Sequence, residues 1–263
     1  MRLTTCSGRV PHGWHHRGVQ QRLPSLLEEP IAFAHRGAKA YAPENTLEAF
    51  ELALKLGANG LESDVWTTAD GEVVLDHDGV VRQSFGRKSP ISGYRRAQLP
   101  SHIPTLAELV DRCGTAYHLS LDLKDAASGA AVIAVIRETA PSLLPRVWLC
   151  SPTWQTLLPL RDQGVKLVDS TRLARIKEGP ERRAATLANE GIDAVNMHHS
   201  DWNGGLVTMF HRFERVALGW DMQTEEVLRR SMRMGLDGVF SDYTDRMVDA
   251  YTQELGAIRP ISG

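Results

Sequence analysis

The chain has 263 residues, a length that a single α/β barrel commonly reaches, and its formal net charge at pH 7 is −2. Hydrophobic residues make up 42% of it, which supplies enough apolar mass for a large core and excludes an intrinsically disordered protein. The near-neutral charge excludes a general attraction to nucleic acid or to an anionic membrane, so any attraction for phosphate must come from a local group of residues.

The chain begins with a polar stretch and then changes to a regular rhythm. Residues 1–25, rich in Arg and His, are predicted to form a flexible N-terminal extension, and residues 26–263 a single domain. From residue 31 onward, short apolar runs alternate with amphipathic stretches, several of which end in glycine, as helices commonly do. Strand and helix in alternation predict a parallel sheet, and at this length an α/β fold of the TIM (β/α)8 barrel type. The predicted strands cover 31–35, 60–65, 72–77, 117–123, 147–151, 166–170, 193–197, 216–220 and 238–242, and the predicted helices 46–57, 128–140, 153–164, 181–191 and 224–235.

Nine strands are predicted, one more than an eight-stranded barrel holds, and the additional strand follows the second one. Residues 60–65 and 72–77 are separated by little more than the Thr-Ala-Asp-Gly segment at 68–71. Parallel neighbours need a crossover of about a dozen residues, whereas Asp-Gly between two strand runs indicates a hairpin. We therefore expect 72–77 to return antiparallel to 60–65, with His77 opposite Glu62. Residues 79–104 are expected to form a short, basic insertion loop.

Acidic and basic side chains cluster at the predicted strand ends. His35 ends the first strand, and Glu62 and Asp64 lie two residues apart near the end of the second. Asp122 and Lys124 repeat that spacing on the next barrel strand. Residues two apart on a strand point to one face, and barrel enzymes carry their active groups at the carboxyl ends of the strands. One cavity is therefore expected to collect these groups.

The collected residue types favour chemistry on phosphate. Three acids at one point repel each other unless a cation joins them, and carboxylate ligands suit Mg²⁺, Ca²⁺ or Mn²⁺ better than Zn²⁺. Arg36 and Lys124 are suited to anionic oxygens. Of the two histidines, His35 and His77, one can deprotonate a nucleophile while the other protonates the leaving alkoxide.

The expected cellular location and binding partners of the protein rest on its apolar segments and its cysteines. No apolar run approaches the about 20 residues of a membrane-spanning helix, and Arg2 is not followed by the apolar stretch of a secretion signal. Cys6, Cys113 and Cys150 are odd in number and show no metal-ligand spacing, which favours reduced thiols. We expect a cytoplasmic protein with a small-molecule substrate, no stable membrane insertion and no nucleic-acid partner. The sequence leaves the oligomeric state open.

Several short motifs occur together and in a fixed order along the chain. They are HRG at 35–37, PENT at 43–46, ESD at 62–64, TTADG at 67–71, HD at 77–78, DLK at 122–124, GWDM at 219–222 and LDGVFSD at 236–242. As a set these motifs resemble the glycerophosphodiester phosphodiesterases, which are related to the phospholipase C-like phosphodiesterase barrels. The resemblance covers roughly residues 30–250.

The resemblance implies a TIM-type barrel that hydrolyses glycerophosphodiesters to an alcohol and sn-glycerol 3-phosphate with one divalent cation, Mg²⁺ or Ca²⁺. It also implies a role for individual positions of this chain. By position, the acid–base pair is His35 and His77, the metal ligands are Glu62, Asp64 and Asp122, the phosphate is held by Arg36 and Lys124, Glu44 lies at the rim, and Trp220 lines the substrate site.

Three departures from the family pattern bear on the substrate. Asp122 stands where the phosphodiesterases usually have Glu, Trp220 is followed by Asp-Met rather than by Thr-Val-Asn, and the insertion at 79–104 is short and basic. They leave the reaction class standing and the alcohol half of the substrate open. The sequence also leaves open the choice of Mg²⁺ or Ca²⁺ and whether water attacks directly or a cyclic phosphate forms. One alternative is a lysophospholipase D or sphingomyelinase D-like enzyme, which would need a hydrophobic strip beside the cavity. Another is a non-catalytic barrel that binds phosphodiesters.

Three smaller interpretations concern residues outside this set. Asn45 of PENT is expected to cap the first helix, with Glu48 as its reciprocal partner. A second HRG at 16–18 follows no apolar strand and leads to no PENT, so we interpret it as part of the extension. His198 and His199 end a strand and are expected to form hydrogen bonds rather than to act in catalysis.

Overall fold

The computed structural model describes residues 22–82, 88–125 and 127–261. Within these ranges the strands are β1 Ile31–His35, β2 Gly60–Thr67, β3 Val73–Leu75, β4 Val80–Arg82, β5 Lys88–Pro90, β6 His118–Leu123, β7 Val147–Ser151, β8 Lys166–Thr171, β9 Ala194–His198, β10 Val216–Trp220 and β11 Gly238–Ser241. The helices are α1 Leu47–Lys55, α2 Leu106–Cys113, α3 Ser128–Thr139, α4 Pro180–Asn189, α5 Gly204–Arg212, α6 Glu225–Arg233 and α7 Thr244–Leu255. None of the helices in the described ranges is long and apolar enough to cross a membrane.

Eight parallel strands close into a barrel. The order around it is β1, β11, β10, β9, β8, β7, β6 and β2, and the ring closes because β1 also pairs with β2. The predicted TIM barrel is therefore confirmed, and β1, β7 and β10 keep their predicted bounds. The predicted boundary between an extension and the domain at residue 25 stays a prediction, since residues 1–21, including the second HRG, lie outside the described ranges.

The hairpin after the second barrel strand is present, in a register that differs from the predicted one. β3 runs antiparallel to β2, with Val65 opposite Leu75 and Thr67 opposite Val73. Continued toward the barrel, this register brings His77 level with Ser63 rather than with Glu62, and the ladder ends before His77. The expected pairing of His77 with Glu62 is therefore wrong by one residue, because the turn is centred on residue 70.

The predicted helices form except for one. Residues 154–160 are a 3-10 helix that contains Pro159, whose ring would clash with the carbonyl of Gln155 in an α-helix. Sequence reasoning missed α2, α5 and α7. The first of these carries a recognisable signal: the Thr105 hydroxyl accepts from the backbone N–H of Glu108, and the Glu108 carboxylate accepts from the backbone N–H of Thr105.

Apolar layers fill the barrel interior below its C-terminal end. Phe33 of β1 stacks on Phe240 of β11, with ring centroids 4.5 Å apart, and both are buried. The other buried members of this inner cluster are Ile31, Trp148, Cys150, Val168, Ala194 and Leu218. A larger cluster lies between the strands and the surrounding helices. The interior is therefore solid, and polar side chains can collect only at the ends of the strands.

A buried carboxylate joins several segments at the opposite end of the barrel, which we call the floor. Asp237 is fully buried and accepts hydrogen bonds from the backbone N–H groups of Leu26, Leu27 and Ala217. Its second oxygen also lies 2.8 Å from Nε2 of His211 in α5. Asp237 thus joins the segment before β1, the start of β10 and a surrounding helix.

A half-buried histidine lies at the same end of the barrel. Nδ1 of His118, the first residue of β6, accepts a hydrogen bond from the indole N–H of Trp148 (3.3 Å). Burial, together with the charge of Arg146, lowers the pKa of His118 to about 4. Protonation would give Nδ1 a hydrogen that points at another donor, so the fold favours the neutral imidazole.

We expect His118 to make stability depend on pH. Its folded pKa lies below its unfolded value of 6.5, so between pH 4 and 6.5 the unfolded state binds the additional proton. The free energy of unfolding should therefore fall by about 1–3 kcal/mol through this residue as the pH falls across that window. Urea denaturation of wild type and His118→Gln at several pH values measures the difference. His102→Gln, at an exposed position, should keep the wild-type pH dependence.

Candidate active site

A cavity of about 510 Å³ opens at the C-terminal end of the barrel, which we call the mouth. It is lined by every residue predicted for the site except Glu44. The predicted residues that line it are His35, Arg36, Glu62, Asp64, His77, Asp122, Lys124 and Trp220. Sequence reasoning did not identify the other lining residues, which are Ser170, Thr171, Arg172, Arg175, Asn196, Asp221, Gln223 and Phe240.

Three carboxylates meet at one side of the cavity because adjacent strands hold them in register. Glu62 and Asp64 are two positions apart on β2, so their side chains point to the same face. Asp64 is directly opposite Asp122 on β6. One oxygen from each lies within 4.8 Å of the others. Glu62 is 5% exposed and Asp64 2% exposed, whereas the Asp122 side chain is partly open to the cavity.

Burial makes this group electrostatically costly. Removal from water, reinforced by the charges of Asp64 and Asp122, raises the pKa of Glu62 to about 8 although His35 opposes the shift. Burial likewise raises the pKa of Asp122, even with Lys124 beside it. The carboxylates therefore require positive charge to remain ionised together.

Two cationic side chains supply part of that charge. Nζ of Lys124 lies 2.7 Å from Asp64 and 3.4 Å from Asp122, and these carboxylates raise the pKa of Lys124 although burial acts against the rise. Nε of Arg36 lies 3.3 Å from Oδ2 of Asp64. The backbone N–H of Arg36 also donates to Glu62 (2.9 Å). One residue thus contacts two of the three acids.

The carboxylate group fits a hard divalent cation. All its donors are oxygens, as Mg²⁺ and Ca²⁺ prefer, and the oxygens are close enough to share one ion. Oδ2 of Asp64 is buried and has no hydrogen-bond partner among the described residues, although Arg36 is near. A buried oxygen without a hydrogen bond is a position that a cation would satisfy.

His35 is held by a residue that sequence reasoning missed. Its Nδ1 lies 2.6 Å from Oδ1 of Asp242, and its Nε2 lies 3.8 Å from Glu62. Burial acts to lower the pKa of His35, but Glu62 and the hydrogen bond to Asp242 raise it above 6.5 overall. Because a carboxylate only accepts, Nδ1 carries the hydrogen and Nε2 faces the cavity. The predicted strand 238–242 ends in Asp242, so the strand-end argument used for the other acids would have found it.

His77 lies in the turn after β3 and has a looser environment. Its side chain is 43% exposed, and Nδ1 lies 3.0 Å from Oδ1 of the adjacent Asp78. It shares the cavity lining with His35 even though it does not extend the ladder of β2. Both histidines therefore line the same cavity, as expected from the sequence. His77 reaches it from the turn after β3, however, and not from a strand paired with β2.

The PENT segment has a structural role that differs from the predicted one. Thr46, not Asn45, caps α1, since its hydroxyl accepts from the backbone N–H of Ala49. Asn45 has a φ of 56°, and its buried side chain accepts from the hydroxyl of Ser63 on β2. The predicted Asn45–Glu48 capping box is therefore wrong. An N-cap residue needs extended backbone angles, which the left-handed Asn45 does not have.

Glu44 lies beside the cavity rather than in its lining. Its carboxylate is 3.1 Å from Nη1 of Arg36 and 3.2 Å from Nζ of Lys39. Both cations keep the pKa of Glu44 low despite burial. Arg36 is thus held between Glu44 on one side and Asp64 on the other.

Comparison with known proteins extends the resemblance seen in the sequence motifs to most of the chain. Residues 35–126 match the glycerophosphoryl diester phosphodiesterase family. A glycerophosphodiester phosphodiesterase of Bacillus altitudinis is 25% identical over 241 residues, covering 82% of this chain and 96% of that protein. A Silicibacter pomeroyi DSS-3 protein provisionally named glycerophosphoryl diester phosphodiesterase superposes with a TM-score of 0.76 at 25% identity, covering 89% of this chain and 96% of the other. An Oleispira antarctica phosphodiesterase, solved in complex with the product sn-glycerol-3-phosphate, gives 0.73 at 24% identity, covering 84% and 96%.

The barrel, the acidic group at its mouth and the two histidines define a phosphoric diester hydrolase of the TIM-barrel type. The family match covers the first part of the barrel, and the relatives extend the likeness across nearly all of it. The chain is similar to the glycerophosphoryl diester phosphodiesterase family over residues 35–126 and to the named phosphodiesterases over most of its length.

Glu62 should destabilise the metal-free protein as the pH rises. Its folded pKa of about 8 lies above the unfolded 4.5, so between these values the folded state binds more protons and the free energy of unfolding falls with rising pH. At pH 8, Glu62→Gln should be more stable than wild type by on the order of 2 kcal/mol, and the gap should shrink at pH 5. Chemical denaturation in chelator measures both. Glu72→Gln, at an exposed position, is the matched control; a destabilised Glu62→Gln at both pH values would contradict the interpretation.

Proposed function

We propose that the protein hydrolyses small glycerophosphodiesters to an alcohol and sn-glycerol 3-phosphate with the help of one divalent cation. The observation that carries the proposal is the convergence of three strand-end carboxylates and two histidines on one cavity. The names of the relatives support the reaction class, and the Oleispira antarctica phosphodiesterase was solved with the proposed product, sn-glycerol-3-phosphate.

Glu62, Asp64 and Asp122 would hold the cation, Mg²⁺ or Ca²⁺. When bound, such a cation polarises a phosphoryl oxygen and offsets the charge that develops in the transition state. Arg36 and Lys124 contact the carboxylates, and both line the cavity in which a phosphate would lie. The guanidinium fork of Arg36, fixed by Glu44 and Asp64, would orient the phosphate oxygens.

The histidines would move the protons. Asp242 holds the hydrogen of His35 on Nδ1, so Nε2 is the atom that takes up or releases a proton. His77 is more exposed, and Asp78 similarly occupies its Nδ1. We infer that one imidazole takes the proton of the nucleophile and the other protonates the leaving alkoxide, with Trp220 against the rest of the substrate.

No observation favours the lipid alternatives. The exposed large hydrophobic side chains among the described residues are Leu26 and Tyr41, and neither lines the cavity. A lysophospholipid or sphingomyelin would need an apolar strip beside the mouth. A purely binding barrel would have no use for an imidazole fixed by a short hydrogen bond beside buried carboxylates. A small diester substrate and a cytoplasmic location stay the expectation.

The decisive experiment measures release of sn-glycerol 3-phosphate from a panel of glycerophosphodiesters with choline, ethanolamine, serine and glycerol head groups. We expect release that EDTA abolishes and that Mg²⁺ or Ca²⁺ restores. Activity that survives exhaustive chelation would contradict the cation. Absence of release from every diester in the presence of either cation would contradict the hydrolytic function.

Substitutions at His35 and at its hydrogen-bond partner Asp242 should lower kcat by different amounts. His35→Ala should lower kcat by about 10²–10⁴-fold, the contribution typical of a general acid or base. Asp242→Asn should lower kcat less, with little change in KM, because it leaves the imidazole present but frees its orientation. His16→Ala, in the second HRG, is the matched control and should be silent. Steady-state kinetics on one diester gives both constants; equal losses at His16 and His35 would overturn the assignment.

A further inference from the structure

A second group of metal-ligand side chains lies at the rim of the cavity. His198 is the last residue of β9, His199 follows it, and Asp221 follows the last residue of β10. In the order of the barrel strands, β9 and β10 are opposite β2 and β6, which carry the acidic group. The rim group is therefore separated from the acidic group by the width of the mouth.

The strand register brings the three side chains together. Trp220, the neighbour of Asp221, is paired with His198 across β9 and β10. Nε2 of His198 lies 3.1 Å from Oδ2 of Asp221, and the rings of His198 and His199 are 4.3 Å apart. One ligand atom of each residue lies within 4.8 Å of the other two. This is the spacing of donors that one ion can gather.

We propose that His198, His199 and Asp221 form a binding site for a borderline transition-metal ion such as Zn²⁺. Two imidazoles and one carboxylate are the donors that Zn²⁺ prefers, whereas Mg²⁺ and Ca²⁺ prefer oxygen alone. The donor chemistry thus distinguishes this site from the acidic group across the mouth. The proposal rests on the rim geometry and does not depend on the hydrolytic function.

The surroundings of His198 direct its Nε2 at the carboxylate of Asp221. Nδ1 accepts from the backbone N–H of Ser200 (3.2 Å), so Nε2 carries the hydrogen and donates to Oδ2 of Asp221 (3.1 Å). An ion bound at Nε2 would take the place of this hydrogen, which would move to Nδ1, 2.8 Å from the Ser200 hydroxyl oxygen. The nearby Arg172 does not add uncompensated positive charge, because its guanidinium is paired with Asp201 at 2.6 Å.

The site also adjoins a residue that can report on it. The ring of Trp220 packs edge-on against His198 at 4.7 Å between centroids. Both Trp220 and Asp221 line the cavity. Three protein ligands leave at least one coordination position open, so an ion here would face the substrate space from the side opposite the acidic group.

The test is calorimetric titration with Zn²⁺ of the 263-residue protein, which is first freed of metal by a chelator and then saturated with Mg²⁺ to occupy the acidic group. Wild type should bind Zn²⁺ at a site that His199→Ala and Asp221→Asn lose or bind at least about tenfold more weakly. Two variants are used because either alone can alter the local fold, and their melting temperatures are compared first. His102→Ala, an exposed histidine elsewhere, should bind as wild type does.

A second readout uses Cu²⁺, which quenches a nearby indole. Titration should quench part of the tryptophan fluorescence of wild type and of His102→Ala, and this part should vanish in Trp220→Phe and in His199→Ala. Equal Zn²⁺ affinity and stoichiometry in wild type, His199→Ala and Asp221→Asn would overturn the proposal. An equal loss in His102→Ala would also overturn it, by showing binding to scattered surface imidazoles.

Discussion

Mutual repulsion among Glu62, Asp64 and Asp122 is the constraint on which the rest of the mouth depends. The parallel register of β2 and β6 holds these carboxylates close together, and the burial of Glu62 and Asp64 removes much of the water that would otherwise screen the three charges. Lys124 and Arg36 compensate the charge of the acids, and these ion pairs determine the positions of both cations before any ligand enters the cavity.

The same constraint explains the backbone of the HRG and PENT segments. To donate its N–H to Glu62 and direct its guanidinium to Asp64, Arg36 adopts a φ of 55°. Gly37 follows with a φ of 77°, and a Cβ there would lie 2.6 Å from the backbone of Ala49 in α1. Asn45, also left-handed, bonds to Ser63 between Glu62 and Asp64. The two motifs are thus one unit, packed against the strand that carries the acids.

Much of this architecture was predictable, and the failures have identifiable physical causes. Apolar runs predicted the barrel strands because each strand is buried on both faces. The strand-end rule found the acids and Lys124 because it depends only on local order. It could not find contacts between distant segments, such as the Asn45–Ser63 bond, which arise when the barrel closes. The hairpin was predicted from its turn, but its register depends on which residue lies at the turn centre, and a shift of one residue moved His77.

Asp237 has a consequence for how this protein can change. The Asp237 carboxylate, which joins the segment before β1 to β10 and α5, is at the floor, whereas the carboxylates of the cavity are at the mouth, with the stacked Phe33 and Phe240 between them. The acid that holds the fold together and the acids of the cavity therefore lie at opposite ends of the barrel. Substitutions at the floor can therefore change thermal stability without changing the residues of the cavity. Substitutions at the mouth can change substrate preference without changing the residues that hold the barrel together.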